Sequence, residues 1–424
     1  MGSAADPPSI TLPACVAARA LIEEKVGSMR ALNVPWAKTG LTILSAVLLA
    51  GLALSGCASS PPPTPPPAPA TTPASPATPG QPMTPAPPGG PVTSGFTATS
   101  VTFVSAQEAF VLGTAPCAHA PCTSIVRTLD RGASWRGLPA PVVPLSPPGG
   151  TGVWGIRFAT PEHGFVFGDG LWETTDGGQH WASAAYPGGS ILSLAAIDGQ
   201  VLALTATCSV QAGCAQPGTL WRRPLAGDAW SQVTQVTAPG ATDPTDTIAT
   251  QAGMAAVLDG NDVVVTGNGG ITITRHLTAC TTAAITPASS VAVIAPDGLA
   301  LLCIGQGFMG HTVKTVYTSG DLGATWVKAG MPPTAGDGGT IAAANPSQLV
   351  IATASAASWL NYSGHGGAQW QTVVTEPDGG QGWADLGFTT ASDGVVIHGP
   401  AARRFAGQLM LTEDGGLTWR QVSF

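Results

Sequence analysis

The stretch TTDGGQHW, Thr174 to Trp181, recurs along the chain and decides how the chain folds. Each copy carries Thr or Ser, then Asp, then Gly, then Trp at nearly fixed offsets. Further copies end at Trp135, Trp326 and Trp419, and degenerate copies end at Trp230 and Trp370. The period is about 47 residues and only the interval from Trp230 to Trp326 is doubled, which predicts a seventh unit with an eroded box near residues 271–280.

The chemistry of this box is that of a tight turn. An Asp carboxylate can accept hydrogen bonds from the backbone N–H groups that follow it, and a Gly supplies the positive φ that closes the turn. The Trp then begins the next strand and packs between neighbouring sheets. A catalytic or metal-binding carboxylate is needed once, so we interpret the recurring set as structural: Asp130 with Trp135, Asp176 with Trp181, Asp321 with Trp326, and Asp414 with Trp419.

Short strands separated by Gly-rich turns fill each repeat. The predicted second strands are AFVLG (109–113), GFVFG (164–168), DVVVTG (262–267) and ALLCIG (300–305). Runs such as SVTFVS (100–105) and GIRFAT (155–160) are the predicted first strands. The third strand leads into the box and the fourth begins at its Trp. Four strands per unit without helical periodicity predict an all-β fold, a seven-bladed β-propeller over residues 95–424.

The N-terminal region has the features of an export signal. Residues 1–28 are predicted to be a spurious or disordered extension. From Met29 a short basic region precedes the apolar run Leu41 to Leu54, which is shorter than the ~20 residues of a membrane span and is typical of a signal peptide, assigned to residues 29–56. The run ends in Leu-Ser-Gly-Cys, which resembles the bacterial lipobox, with Cys57 as the lipidated residue. An uncleaved anchor over residues 40–58 is the alternative.

Residues 57–94 form a proline-rich linker. Between Pro61 and Pro91 there are fifteen prolines in thirty-one positions, a composition that favours an extended polyproline II chain. We interpret it as a spacer, and recognition by proline-binding domains is the alternative. Together, the signal peptide, the lipobox and this spacer predict that the protein is exported and anchored to the outer face of the bacterial cell membrane.

The Ser/Thr-x-Asp-x-Gly-x-x-Trp box resembles the bacterial neuraminidase repeat (BNR repeat), or Asp box, which sialidases, sortilin-type receptors and photosystem II assembly-factor propellers share. The order of lipobox, spacer and seven blades is most similar to the assembly-factor type and to related actinobacterial lipoproteins. The resemblance covers the whole domain and implies the propeller fold. It does not specify an activity, because this architecture hosts hydrolases, receptors and assembly factors.

The cysteines indicate the redox compartment of the protein, and its charge limits the class of partner. Six propeller cysteines fall into local pairs, which favours disulfides in an oxidising compartment. A metal site at CAHAPC around His119 is the alternative, but it lacks a second ligand pair, and neither a metal nor a cofactor is predicted. Residues 57–424 carry 21 acidic and 12 basic side chains without a basic run, which argues against nucleic acid. The expected pairs are Cys117 with Cys122, Cys208 with Cys214, and Cys280 with Cys303, the last joining adjacent blades.

Two function classes are weighed. The first is a sialidase-like or other glycoside hydrolase, which by resemblance would use three arginines, a Tyr nucleophile paired with Glu, and an Asp acid. Its weak catalytic candidates are Glu376, Asp378 and Asp385, where blade 6 passes into blade 7. We interpret these three as solvated loop charges. The favoured class is a binding or scaffold module for a protein, peptide or glycan of the cell envelope.

Strand polarity predicts the working face. Loops from second to third strands and connections between blades share one face, and the boxes lie on the other. The face opposite the boxes is the predicted working face, and it carries both short disulfide loops and the segment Leu138 to Pro148. Tryptophans there would stack on a sugar or an apolar side chain and arginines would bind a carboxylate, although packing of the tryptophans between blades is the alternative. The candidate binding residues are Trp154, Trp383, His311, Arg403 and Arg404.

Overall fold

Seven four-stranded antiparallel sheets make up the domain in a computed structural model. The structure describes residues 89–117, 122–147, 149–209, 213–237, 248–281, 285–400 and 406–424. The predicted signal peptide, the lipidation site Cys57 and most of the linker lie outside these residues. Within the described part of the chain, no helix is long and apolar enough to cross a membrane.

Each sheet is one blade, built from strands that follow one another along the chain. Blade 1 contains β1 (Thr97–Phe103), β2 (Ala109–Ala115), β3 (Cys122–Thr128) and β4 (Arg136–Leu138). Blade 2 contains β5 (Val153–Phe158), β6 (Gly164–Gly168), β7 (Leu171–Thr174) and β8 (Ala182–Ser183). Blade 3 contains β9 (Ser190–Ile197), β10 (Gln200–Ala206), the separate small hairpin of β11 (Cys208–Ser209) and β12 (Gly213–Cys214), and then β13 (Gly218–Pro224) and β14 (Ser231–Val236).

The remaining blades follow the same order. Blade 4 contains β15 (Ile248–Gln251), β16 (Met254–Asp259), β17 (Asp262–Thr266) and β18 (Thr274–Leu277), followed by a 3-10 turn (Ala279–Thr281). Blade 5 contains β19 (Ile285–Ile294), β20 (Gly298–Phe308), β21 (His311–Ser319) and β22 (Val327–Gly330). Blade 6 contains β23 (Asp337–Ala343), β24 (Leu349–Ala354), β25 (Ser358–Ser363) and β26 (Gln371–Glu376). Blade 7 contains β27 (Trp383–Phe388), β28 (Gly394–His398), β29 (Gln408–Thr412) and β30 (Arg420–Gln421).

The predicted seven-bladed propeller is confirmed, with two corrections in blade 4. The sequence pattern predicts the run DVVVTG as a second strand, but it forms β17, the third strand, because the pair β15 and β16 precedes it. The degenerate box lies at residues 266–273, slightly before the predicted 271–280. Asn268 replaces the usual Asp there, and Ile273 replaces the Trp.

The recurring turns share one set of hydrogen bonds. In blade 2, Oδ1 of Asp176 accepts from the Thr174 hydroxyl at 2.9 Å and from the His180 backbone N–H at 2.9 Å. The backbone N–H of Gly178 donates to the Thr174 hydroxyl at 2.9 Å, and Gly178 has a φ of +84°, which glycine adopts without steric cost. Blade 4 keeps this geometry with a neutral side chain, since the Thr272 N–H donates to Oδ1 of Asn268 at 2.9 Å.

The tryptophan after each turn packs against the preceding blade. Nε1 of Trp181 donates to Pro139 O at 3.0 Å, and Nε1 of Trp326 donates to Leu277 O at 3.0 Å. Seven apolar clusters each fill the space between two adjacent blades, and the half-buried tryptophans border them. Ile273 occupies the corresponding position between blades 3 and 4. The boxes therefore join blades as well as strands.

A second set of contacts joins the innermost strands around the axis. The hydroxyls of Ser100, Ser193 and Ser290 each accept the backbone N–H of the next blade's first strand, at 3.2, 3.3 and 3.1 Å. Blade 7 has Asp385 at this place, and its Oδ2 accepts from the Val101 N–H at 2.7 Å. Because each blade keeps its own four strands, this bond closes the ring together with packing of Phe96 on Phe424 at 4.7 Å between ring centroids.

Candidate functional site

The two faces of the propeller differ in kind. Antiparallel order within each sheet places the Asp turns and the links from first to second strands on one face. We call it the turn face. The links from second to third strands and the connections between blades lie on the other, the loop face. This agrees with the polarity expected from the sequence.

The turn face is closed by its own hydrogen bonds. At Asp130, Asp176 and Asp321 these bonds lower the pKa from 3.8 to about 2, chiefly through the Ser134 hydroxyl, the His180 backbone N–H and the Thr325 hydroxyl respectively. Glu108 on this face forms an ion pair with Arg127 at 2.6 Å. These carboxylates already have protein partners, which supports a structural role for them.

The loop face carries the local disulfides. Cys117–Cys122 joins the ends of β2 and β3, and Cys208–Cys214 joins β11 to β12, as predicted. Cys280–Cys303 connects the segment after blade 4 to β20 of blade 5 and is buried, which confirms the third pair. Within the described ranges, no group of three or more His, Cys, Asp or Glu side chains could hold a metal ion. His119 lies outside the described residues.

The two predicted stacking tryptophans are corrected by their burial. Trp154 is only 2% exposed and belongs to the apolar cluster between blades 2 and 3. Trp383 is 8% exposed, and its Nε1 donates to Thr353 O at 3.1 Å in blade 6. Both lie within the first two residues of the first strand of their blade, where the ring packs between sheets. Neither ring offers a face for a sugar.

Of the three predicted catalytic carboxylates, Asp378 and Asp385 each bind a separate set of partners, so they do not form an acid and base pair. Asp378 accepts from the Ser358 hydroxyl at 2.8 Å and pairs with Nε2 of His398 at 2.6 Å. Burial acts to raise the pKa of Asp378, but hydrogen bonds from the Gly380 N–H, His398 and Ser358 outweigh burial and lower it. Glu376 ends the outermost strand β26 and is partly buried.

Asp385 lies in the central channel and binds different partners. Its Oδ1 is 2.6 Å from Nη2 of Arg157, and its Oδ2 accepts from Val101 N–H. The side chains of Asp378 and Asp385 are 8% and 3% exposed, which corrects their interpretation as solvated loop charges. Asp378 therefore joins blades 6 and 7, and Asp385 joins blade 7 to blades 1 and 2.

The channel around Arg157 encloses about 220 Å³ and is lined by first strands of six blades. Gln251 spans the strand ends on the turn face, donating to Ala343 O at 3.0 Å and accepting from Ala295 N–H at 2.8 Å. The sequence pattern does not single out Arg157, although this residue interrupts the apolar first strand GIRF. The ion pair with Asp385 places one positive and one negative group in an otherwise uncharged lining.

A feature of the loop face that sequence reasoning missed is an arm on blade 5, residues 305–313. Strand β20 continues to Phe308, and β21 begins at His311 after the two-residue turn of Met309 and Gly310, which have φ of +50° and +80°. Phe308 and Met309 are 78% and 82% exposed. His311, a predicted binding residue, is exposed on this arm. The signal in the sequence was Gly310 after a long apolar strand, whereas Met is not among the residues that favour the positive φ of the first turn position.

Hydrogen bonds hold the arm at its tip, through Gly310, and at its base, through Lys314. Gly310 O accepts from the Gly336 N–H at 3.0 Å and from the Ser355 hydroxyl at 3.0 Å. The ammonium of buried Lys314 donates to the carbonyls of Thr334, Ala335 and Gly336 at 3.0, 3.1 and 2.8 Å. Burial lowers the pKa of Lys314 to about 8, while Asp337 acts in the opposite direction. The arm is therefore held by blade 6 and by the connection from blade 5 to blade 6.

The pair Arg403 and Arg404 lies outside the described residues, so its role in binding stays a prediction. The same holds for Pro148 in the segment Leu138 to Pro148. In the described part of that segment, Val142 is exposed on the loop face and Leu138 is buried. The loop face thus combines two disulfide loops, one long connection and the arm.

Comparisons with known proteins find similar solved structures but no similar sequences. No protein-family model and no curated protein sequence matches the chain. The solved structure of YCF48 bound to D1 peptide is similar, at 16% identity and a TM-score of 0.46, with coverage of 84% of this chain and 100% of that chain. YCF48 from Cyanidioschyzon merolae is similar at 16% identity and a TM-score of 0.48, with coverage of 77% and 95%.

An enzyme is also among the similar structures. An ancestral GH74 enzyme shares 12% identity at a TM-score of 0.48, and the match covers 78% of this chain and 45% of the enzyme. The seven-bladed β-propeller itself rests on the order of the sheets. The similar structures include a protein bound to a peptide and an enzyme.

Proposed function

We propose that this chain is an exported, lipid-anchored binding module whose loop face docks a protein or peptide. The observation that carries the proposal is the contrast between the faces. The turn face repeats one self-bonded turn, whereas the loop face holds the disulfide loops and an arm with two apolar side chains about four-fifths exposed. Variable loops on a rigid repeated scaffold are where propellers place recognition.

A protein or peptide ligand is favoured over a glycan. Binding of a sugar ring by stacking needs an exposed aromatic face, and burial of Trp154 and Trp383 removes the two rings that the sequence offered for it. Phe308 is an exposed ring that the sequence did not offer as a sugar platform, but it lies beside Met309, and exposed aromatic and Met side chains together are of the kind enriched in protein interfaces. A glycoside hydrolase loses its proposed acid and base pair, because Asp378 and Asp385 are bound in separate contacts.

The proposed location rests on two further observations. Three disulfides suit an oxidising compartment outside the cytoplasm. The lipobox-like Leu-Ser-Gly-Cys ending at Cys57 supplies the anchor, and the proline-rich linker supplies the spacer. The self-bonded turns support assignment of the repeats to the Asp-box (BNR) type. The order of lipobox, spacer and seven blades, read from the sequence, supports an assembly-factor-like role.

Binding assays on two arrays test this proposal. The purified protein is applied to an array of random peptides and to an array of glycans, and turnover of sialosides and polysaccharides is measured in parallel. We expect saturable peptide binding, without glycan binding and without turnover. Selective glycan binding, or turnover abolished by Glu376→Gln, would overturn it.

A further inference from the structure

Resting on the proposed function, we propose that the arm, residues 305–313, is the docking contact of the loop face. In this proposal Phe308 and Met309 pack against apolar side chains of a peptide segment of a protein partner. Both side chains are about four-fifths exposed, although the turn that carries them is hydrogen-bonded to Gly336 and Ser355. Aromatic and Met side chains are enriched in the cores of protein interfaces, where a few side chains carry most of the binding energy.

The pairing register defines which side chains the arm presents together. Phe308 and His311 are direct partners in the pairing of β20 with β21, so their side chains share one side of the hairpin. Met309 lies in the turn beside them. Val313 and Met331, 41% and 54% exposed, add apolar surface on β21 and on the connection hydrogen-bonded to it. The presented surface is apolar with one imidazole.

The backbone of the arm is already paired, so its side chains make the contact. Thr312 N–H donates to Thr334 O at 2.9 Å, and Gly310 O accepts two hydrogen bonds from neighbouring segments. Addition of a partner strand would have to displace these bonds. A fixed arm also loses little conformational entropy on binding, which favours affinity.

Charge favours a protein partner over a lipid surface. Loops that enter membranes combine apolar side chains with Lys or Arg, which bind anionic headgroups. Residues 304–313 read IGQGFMGHTV and contain no Lys, Arg, Asp or Glu. Residues 57–424 carry nine more acidic than basic side chains, so an anionic bilayer repels the domain.

Peptide display provides the probe for the test. Random twelve-residue peptides displayed on phage are selected on the wild-type protein, and the strongest binder is synthesised with a fluorescent label. Its Kd is measured by anisotropy for wild type, Phe308→Ser, Met309→Ser and Leu129→Ser. Leu129 is the matched control because it is 62% exposed but lies in an Asp turn on the opposite face. Circular dichroism melting confirms that each variant folds.

We expect an apolar peptide whose Kd rises more than tenfold in Phe308→Ser and in Met309→Ser and stays unchanged in Leu129→Ser. Binding that is equal in all variants overturns the arm while leaving the proposed function standing. Failure to select any peptide overturns both. Phe308-dependent sedimentation with vesicles of phosphatidylethanolamine and phosphatidylglycerol, or Phe308-dependent dimerisation in ultracentrifugation, overturns the protein partner in favour of a membrane or a second copy.

Discussion

Nη2 of Arg157 and Oδ1 of Asp385 lie 2.6 Å apart across the central channel, joining blade 2 to blade 7 past blade 1. Asp385 also accepts the Val101 N–H, so one carboxylate contacts three consecutive blades around the point where the ring closes. Its φ of +50° is a strained backbone conformation for a residue other than Gly. Such strain persists only where surrounding contacts fix it.

We therefore expect Asp385→Ser to lower the free energy of unfolding of the propeller. Serine keeps the hydrogen bond that Ser100, Ser193 and Ser290 make in other blades, but Arg157 loses its carboxylate. Removal of one partner of a buried ion pair costs roughly 3 kcal/mol of unfolding free energy at the lower end of the usual range. Urea denaturation measures the change.

The double variant Asp385→Ser with Arg157→Ala should recover part of that loss, because no unpaired charge remains. Asp228→Ala serves as the control, since Asp228 is fully exposed at 3.4 Å from Arg223 and its loss should cost less than ~1 kcal/mol. Equal effects of Asp385→Ser and Asp228→Ala would contradict the closing role.

Trp181→Ala should destabilise the junction of blades 1 and 2 without altering the loop face. The indole packs edge-on against Phe158 at 6.1 Å between ring centroids and donates to Pro139 O. Because Trp181 is half-buried, we expect a loss of about 3 kcal/mol, the lower end of the range for Trp truncation. Trp181→Ile, which copies Ile273 of blade 4, should lose less. Unchanged melting together with lost peptide binding would argue against the structural role.

The Asp turns should make the fold sensitive to acid. The pKa of Asp321 is lowered from 3.8 to about 2, chiefly by the Thr325 hydroxyl and then by its backbone N–H. A carboxyl with a lowered folded pKa stabilises the fold above its unfolded pKa, and this stability is lost as pH falls from about 4 to about 2. Asp321→Asn, which reproduces the Asn268 turn of blade 4, should fold and show a flatter pH dependence in that window. An unchanged acid transition in this variant would count against the turn as its source.

Lys314 should make the stability of the fold depend on pH in the alkaline range. Burial lowers its pKa from 10.5 to about 8, so the folded protein releases this proton at lower pH than the unfolded chain does. Stability should therefore rise with pH between about 8 and 10.5, by up to ~1.4 kcal/mol per pH unit for one proton. Lys314→Met should remove this rise and the exposed-residue control Lys328→Met should keep it. An identical slope in both variants, measured by urea denaturation across that range, would refute the assignment.

Cys57 is the test of anchoring. If Leu-Ser-Gly-Cys is a lipobox, wild-type protein should carry lipid on Cys57, and Cys57→Ser should remain uncleaved or appear in the soluble fraction. Intact-mass spectrometry of the membrane fraction measures this. An unmodified Cys57 in mature wild-type protein would exclude lipid anchoring.

The sequence by itself determined the repeat, and through it the architecture. A turn such as that from Thr174 to Trp181 is closed by hydrogen bonds within four residues, so eight letters suffice to predict it. The pairs Cys117–Cys122 and Cys208–Cys214 were predicted correctly for the same reason, because their cysteines are only five and six positions apart in the sequence. The number of blades followed from the spacing of the tryptophans, because the interval from Trp230 to Trp326 is twice the period and so contains the blade with the degenerate box.

Only the tertiary structure decided which of these side chains face a ligand. Trp154 and Trp383 look equivalent to exposed aromatics until the neighbouring blade covers them. Arg157 and Asp385 are 228 residues apart, and no local pattern relates them. Likewise, exposure of Phe308 depends on how far β20 extends beyond the sheet, which is set by contacts of Gly310 with Ser355 and Gly336. Hydrogen bonds within a few residues depend only on neighbouring positions in the sequence. Burial and pairing between distant segments arise only when the blades pack into a ring.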